Sequence, residues 1–302
     1  WNKYLNLDNP YLDKAVMDRT YKAGGNYYFA TAASGLWGIY YNKDMFTEKG
    51  LDNPGVLFKK DEWNYDNFLD YCREFLEDNN GDGEYDVYGL SGWAVDRLLY
   101  ANNASFCKKD DQGVFSSNLD SINLINGLEI VRTIYNEGLA LDIGNNDGEF
   151  LKMRAAMFIE RDYLDATYYK KEKEGTMPFD YGFVPLPYGP QNNEKINVSI
   201  GDGYMLGKNC KNPVGAGKFC DILITELGGG YMTEEQKAEA AGRHKPEVLE
   251  IINIMKENNY CFEANDEGLF EASVDIKQSI INESLTSSVS SALRITELTQ
   301  VT

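Results

Sequence analysis

Asp78, Asn80, Asp82 and Gly83 stand in the order D-x-[DN]-x-[DN]-G within the stretch DNNGDGEYDVYG (78–89). That order is the first half of an EF-hand-type calcium loop. Alternate side-chain oxygens can converge on one hard cation, and a glycine at the sixth place allows the sharp turn. Glu84, at the seventh place, would offer its backbone carbonyl. Gly89 occupies the twelfth place, where a bidentate acid is usual, so Asp86 at the ninth is the best remaining carboxylate. The plain alternative is a solvated turn, which Asn, Asp and Gly favour in any case. We expect a structural Ca2+ held by Asp78, Asn80, Asp82, Glu84 and Asp86. The similar run NNDGE (145–149) would start its loop on Ile143 and is assigned no site. A dockerin-type adhesion module would need two loops, and the chain offers one.

Other chemistries find little material. His244 is the only histidine, which excludes clusters of histidine ligands, and no familiar nucleophile signature surrounds any Ser or Cys. Cys72, Cys107, Cys210, Cys220 and Cys261 are odd in number and never form C-x-x-C, fitting neither a disulfide framework nor a zinc site. We expect five reduced thiols, several of them in the core. Forty-eight acidic residues against 29 basic give a net charge of −19, a field that repels nucleic acid and anionic lipid. Twenty-one tyrosines, 14 phenylalanines and 4 tryptophans fit a large core, and equally a groove that stacks flat apolar faces while phenol hydroxyls bond polar edges.

The elements that must position such groups are legible as short segments. The 302 residues suffice for about two domains. YYFATAASGLWGIYYN (27–42) predicts two short buried strands broken near Ser34 and Gly35. A short helix follows and stops at Gly50. Asn64 is placed to cap a helix whose apolar face is Tyr65, Phe68, Leu69, Cys72, Phe75 and Leu76, running directly into the acidic loop. Further strands are expected in VYGLSGW, at 154–160, at 181–187 and at 199–207. Helices are expected at 119–137 and, opened by Asn212-Pro213, through Leu227. Residues 233–302 are mostly polar and helix-compatible. Strands alternating with helices imply an α/β protein with largely parallel sheets. No linker separates two halves, so a two-domain chain would cross between them more than once.

GLWGIYYNKDMFTEKGLDNP followed by WNYDNFLDYCREF resembles bacterial extracellular solute-binding proteins of ABC importers, in the carbohydrate-binding group related to maltose-binding protein. LKMRAAMFIERDY (151–163) is similar to that family's "GKAAM…G.W" stretch, and GDGYMLGKNCKNP to its "G.GYAIPK.SKNPE" segment. The resemblance covers about residues 21–227. Arg161-Asp162-Tyr163 departs from it by standing where Gly-x-Trp is common. It implies a two-lobed periplasmic-binding-protein fold of type II, with the first part of the N-terminal lobe absent from this chain. Residues 1–35 and 198–290 would form the N-terminal lobe, and 36–197 with 291–302 the C-terminal lobe.

The resemblance further implies no enzymatic activity and capture of an oligosaccharide between the lobes, for delivery to ABC permease subunits. The protein would be monomeric and held outside the cytoplasmic membrane through a lipid on a preceding cysteine. Trp37, Trp93, Asp96, Arg97, Arg161, Asp162, Tyr163, Asp202 and Tyr204 are the candidate ligand contacts. Each has a bland alternative: a core aromatic for the rings, a rim ion pair for the charges. A secreted glycoside hydrolase, which also combines aromatic platforms with carboxylates, and a cell-surface glycan-adhesion module remain alternatives.

Overall fold

A computed structural model describes residues 1–20, 22–92, 95–141 and 147–260. Its organising element is β3 (Phe29–Asn42), preceded by α1 (Lys14–Thr20) and a small hairpin of β1 (Lys22–Ala23) and β2 (Asn26–Tyr27). There follow α2 (Lys43–Glu48), α3 (Pro54–Lys59), α4 (Tyr65–Glu74), β4 (Tyr88–Ser91) and a 3-10 helix (Val95–Asn102). A second hairpin, β5 (Cys107–Lys109) and β6 (Phe115–Ser117), leads to α5 (Ile122–Asn136), β7 (Ala140–Leu141) and α6 (Gly148–Leu151). Then come β8 (Ala155–Arg161), a 3-10 turn (Asp162–Leu164), α7 (Asp165–Lys173) and β9 (Tyr181–Pro185). The described chain closes with β10 (Asn197–Met205), α8 (Pro213–Leu227), α9 (Glu234–Ala241), α10 (Pro246–Glu257) and β11 (Asn259–Tyr260).

Expectation and structure differ first at β3. Two strands broken near Ser34-Gly35 were expected; the backbone instead runs on without a break and changes partners there. Residues 29–36 pair antiparallel with β10, up to Leu36 opposite Ser199. From Trp37 onward β3 pairs with β8, Trp37 facing Arg161, and from Gly38 with β9 on its other side. Gly38 permits that double flanking, because a Cβ there would collide with the Phe183 ring and the Val184 carbonyl. The main sheet runs β11-β10-β3-β8-β4-β7 with β9 beside β3. It is mixed, which corrects the expectation of a largely parallel sheet: β4 with β7, β4 with β8 and β10 with β11 are parallel, whereas every pairing of β3 is antiparallel.

Both faces of the second half of β3 are buried, which is why its sequence reads as unbroken apolar residues and not as an alternation. Trp37, Ile39 and Tyr41 enter one core with Phe46, Trp63, Phe68 and Leu128. Leu36 and Tyr40 enter another with Phe158, Tyr168, Phe183 and Ile252. A third, smaller core joins Leu5, Leu12, Met17, Tyr27 and Ala30 to Cys220 and Ile224 of α8. The expected caps form: Asn64 Oδ1 accepts the Asn67 N–H at 3.1 Å, and Asn212 Oδ1 the Gly215 N–H at 3.0 Å. Cys72, Cys107 and Cys220 are buried and Cys210 is half-buried; Cys261, like the whole of 261–302, lies outside the described residues.

Candidate ligand site and acidic loop

At the point where β3 exchanges β10 for β8, four of the candidate side chains come together. Trp37 is 1 % exposed. Its ring lies 5.5 Å from the guanidinium carbon of Arg97 and 5.7 Å from that of Arg161. Arg161 also lies over the Tyr163 ring, at 5.0 Å. Trp37 thus backs the cluster beneath two cations, an arrangement favoured by its negative ring face. Tyr163, 49 % exposed, is the aromatic face that remains open. Burial pushes its phenol pKa upward.

Asp162 faces inward to the backbone. Its Oδ1 accepts the Leu36 N–H at 3.2 Å, tying the turn after β8 to the residue next to Trp37. Burial raises its pKa, against the favourable influence of that N–H and of the Lys256, His244 and Arg161 charges. Glu160, a residue the sequence reading passed over, is the buried acid of the group: its Oε1 accepts the Arg161 N–H at 2.9 Å and lies 3.5 Å from Arg161 Nε. An acid closing the apolar run AAMFIE was the only signal that pointed to it.

The remaining candidates are dispersed or undescribed. Tyr204 pairs with Ala30, seven residues before Trp37, or about 23 Å along a strand. Its carbonyl accepts the Trp1 indole N–H at 2.9 Å, so it belongs with the third core and not with the arginines. Asp202 lies opposite Ala33, four residues from Trp37, where β10 shifts register. Asp96 lies in the 3-10 helix that carries Arg97. Trp93 lies outside the described residues.

Far from this cluster, the acidic loop folds on itself. Asp78 accepts the Gly81 and Gly83 N–H groups, at 2.7 and 3.0 Å, and these bonds hold its carboxyl below the usual range. Asn80 and Asp82 accept from the amides of Asp82 and Glu84, at 2.8 and 2.9 Å. Asp86 returns to close the loop, its Oδ2 accepting the Asn79 N–H at 2.9 Å. Gly81 and Gly83 take φ of +76° and +93°. The chemistry of this donor set, three carboxylates and an amide oxygen folded into one turn, fits a hard cation. Among the described residues no three His, Cys, Asp or Glu side chains are gathered tightly enough to hold a metal ion as they stand.

The family description for bacterial extracellular solute-binding proteins matches residues 1–229, well over half of the chain. The chain belongs to that family. Among solved structures, this solute-binding protein is similar to the ABC substrate-binding protein Lmo0181 from Listeria monocytogenes in complex with cycloalternan, with a TM-score of 0.70, 14% identity, and coverage of 98% of this chain and 77% of the other. A maltose/maltodextrin-binding domain from Bdellovibrio bacteriovorus, bound to maltotriose, gives 0.62 at 18% identity, covering 94% and 75%. The cyclic alpha-maltosyl-1,6-maltose binding protein from Arthrobacter globiformis gives 0.66 at 14%, covering 96% and 76%. At these identities the likeness establishes the fold, that of the two-lobed periplasmic solute-binding proteins. No curated protein sequence matches significantly. Among the described residues no helix is long and apolar enough to cross a membrane.

Proposed function

We propose that this solute-binding protein is a non-enzymatic carbohydrate receptor that takes an oligosaccharide between two lobes and passes it to ABC permease subunits. In this reading it acts as a monomer, lipid-anchored at the outer face of the cytoplasmic membrane. The lobes in this reading are 1–35 with 198–290, and 36–197 with 291–302, meeting where β3 changes partners.

The observation that carries the reading is the cluster at that meeting point. Tyr163 offers an open ring to the C–H face of a sugar. Arg161 and Arg97, stacked on the buried Trp37, supply forked N–H donors to hydroxyls. Placed at a hinge, such groups favour whichever lobe arrangement lets both sides touch the ligand. Solved structures with this fold hold maltotriose and cycloalternan, which supports an oligosaccharide as cargo.

The test is calorimetric titration with maltotriose, mannotriose and cycloalternan, together with an assay for new reducing ends. Saturable binding without cleavage is the expected result. Cleavage would make the protein a glycoside hydrolase, and absence of binding to any sugar would remove the carbohydrate reading.

We further propose that the loop takes a structural Ca2+ through Asp78, Asn80, Asp82, Asp86 and the Glu84 carbonyl. Such an ion would pin the end of α4 to the start of β4. Calcium at a hundred times its Kd should stabilise the fold by about 2.7 kcal/mol, read as a chelator-reversible rise in Tm. An unchanged Tm would leave a solvated turn.

A further inference from the structure

Two hairpin tips far apart in sequence touch one another. The β1–β2 hairpin turns through Gly24 and Gly25, both at positive φ (+53° and +75°), in the two-residue manner that demands glycine. The Gly24 N–H donates to the Asp111 carbonyl, at the tip of the β5–β6 hairpin, over 3.2 Å. At that second tip Gly113 lies directly against Ala23: a Cβ on Gly113 would collide with the Ala23 methyl.

Each tip is held rigid by its own bonds. Asp110 Oδ1 accepts the N–H groups of Gln112 and Val114, both at 2.9 Å. On the other side Asn2 clasps the first hairpin, donating to the Gly25 carbonyl at 2.9 Å and accepting the Tyr27 N–H at 2.8 Å. Two pre-shaped surfaces lose little freedom when they meet, so even a small contact contributes most of its intrinsic strength.

On the lobe division proposed above, 22–27 and 107–117 belong to different lobes, and the contact lies outside the strands that form the hinge. It must therefore break whenever the lobes part. We infer that these tips are a latch: the Gly24–Asp111 hydrogen bond and the Ala23–Gly113 contact hold the lobes closed and slow ligand release. The inference rests on that lobe division, and its test is built so that the two can fail separately.

Three variants of the full chain decide it. Gly113→Asn places a side chain into Ala23 while tolerating the positive φ of +84° at that site. Ala23→Leu wedges the same contact from the other side, where no unusual backbone is needed. Ala23→Gly removes only the methyl and keeps the hydrogen bond. Both bulky variants should give a larger radius of gyration by small-angle scattering without ligand, faster hydrogen exchange across 22–27, and maltotriose release about tenfold faster, the scale of one lost hydrogen bond. Ala23→Gly, which loses the methyl contact and keeps the hydrogen bond, should fall between wild type and the bulky variants.

If Gly113→Asn disrupts its own hairpin, Ala23→Leu still tests the contact. Wild-type dimensions, exchange and release in Ala23→Leu would overturn the latch. If the wild type binds no sugar, the receptor reading fails, while scattering and exchange still decide the latch. Faster exchange with unchanged dimensions would mean that the tips do touch but lie on one rigid body, which would overturn both the latch and the lobe division.

Discussion

Trp37 and Arg161 face each other across the β3–β8 ladder, with the guanidinium carbon 5.7 Å from the indole centroid and 5.0 Å from that of Tyr163. Arg161 thereby links the buried ring to the exposed one, and its orientation is set before any ligand arrives. Replacing it with alanine should weaken oligosaccharide binding about tenfold, the scale of a partly desolvated cation–π pair plus a hydroxyl contact. Arg161→Lys should recover little, because a compact ammonium neither stacks nor forks as a guanidinium does. Calorimetry on both variants checks this; equal affinity in Arg161→Lys and wild type would show that charge alone matters.

Asp162 should act through the backbone and not through the ligand. Burial holds its carboxyl pKa above the unfolded value, so protonation is favoured by folding. The associated stability is fully present below the unfolded pKa of about 3.9 and is lost as pH rises through the higher folded value. Asp162→Asn keeps an acceptor for the Leu36 N–H and removes the charge, so its unfolding free energy should change less than wild type's as pH rises from acid toward neutral. Asp162→Ala leaves the N–H without its partner and should cost about 1 kcal/mol. Urea denaturation across that pH range distinguishes them.

Much of this arrangement was legible in the sequence, and the exceptions have physical causes. Local signals sufficed where a cap or a periodic apolar face determines an element, as at Asn64 for α4 and Asn212 for α8. The continuity of β3 was not legible. Ala33, Ser34 and Gly35 look like a break in propensity, yet pairing with β10 carries the strand through them. The direction of the strands was missed for the same reason, since the pairing partners of β3 lie more than a hundred residues away. In the site, aromatic and charged residue types were recognisable, but strand register alone decides that Arg161 meets Trp37 while Tyr204 lies far down β3.

Lys245, just before α10, anchors a charged cluster with α7 and the residues that open β9. It is only 8 % exposed, and its ammonium bonds Glu172 at 2.8 Å, Asp180 at 2.5 Å and the Tyr181 carbonyl at 3.0 Å. Burial opposes the charge, but the bonds to Asp180 and Glu172 prevail and raise its pKa. Asp180, opposed likewise by burial, is held below its ordinary value by Lys245 and Lys43. The Asp180 contribution is present above its unfolded pKa and is lost as pH falls through the lowered folded one; the Lys245 contribution is lost only as pH rises through its raised value. Because the acids are partly exposed, Lys245→Met should cost about 2 kcal/mol, less than breaking a wholly buried pair. It should also weaken the acid-side loss of stability, which thermal melts at neutral and acid pH would reveal.

Gly89 explains why the calcium motif stops short. Counting from Asp78 it holds the twelfth place, yet in the fold it lies in β4 against α4, and a Cβ there would collide with the Cys72 backbone. No side chain fits there; the Asp86 carboxylate, three places earlier, folds back to the Asn79 amide. Gly89→Ala should destabilise the protein by about 2–3 kcal/mol through overpacking against a helix backbone that cannot retreat. Gly89→Glu, which completes the loop pattern on paper, should fail to fold and gain no affinity for calcium. Asp86→Ala, at a half-buried position, should lower the Tm in chelator slightly through the lost Asn79 N–H bond while abolishing any rise with calcium. A chelator-reversible shift that survives Asp86→Ala would place the ion on the Asp78–Glu84 segment alone.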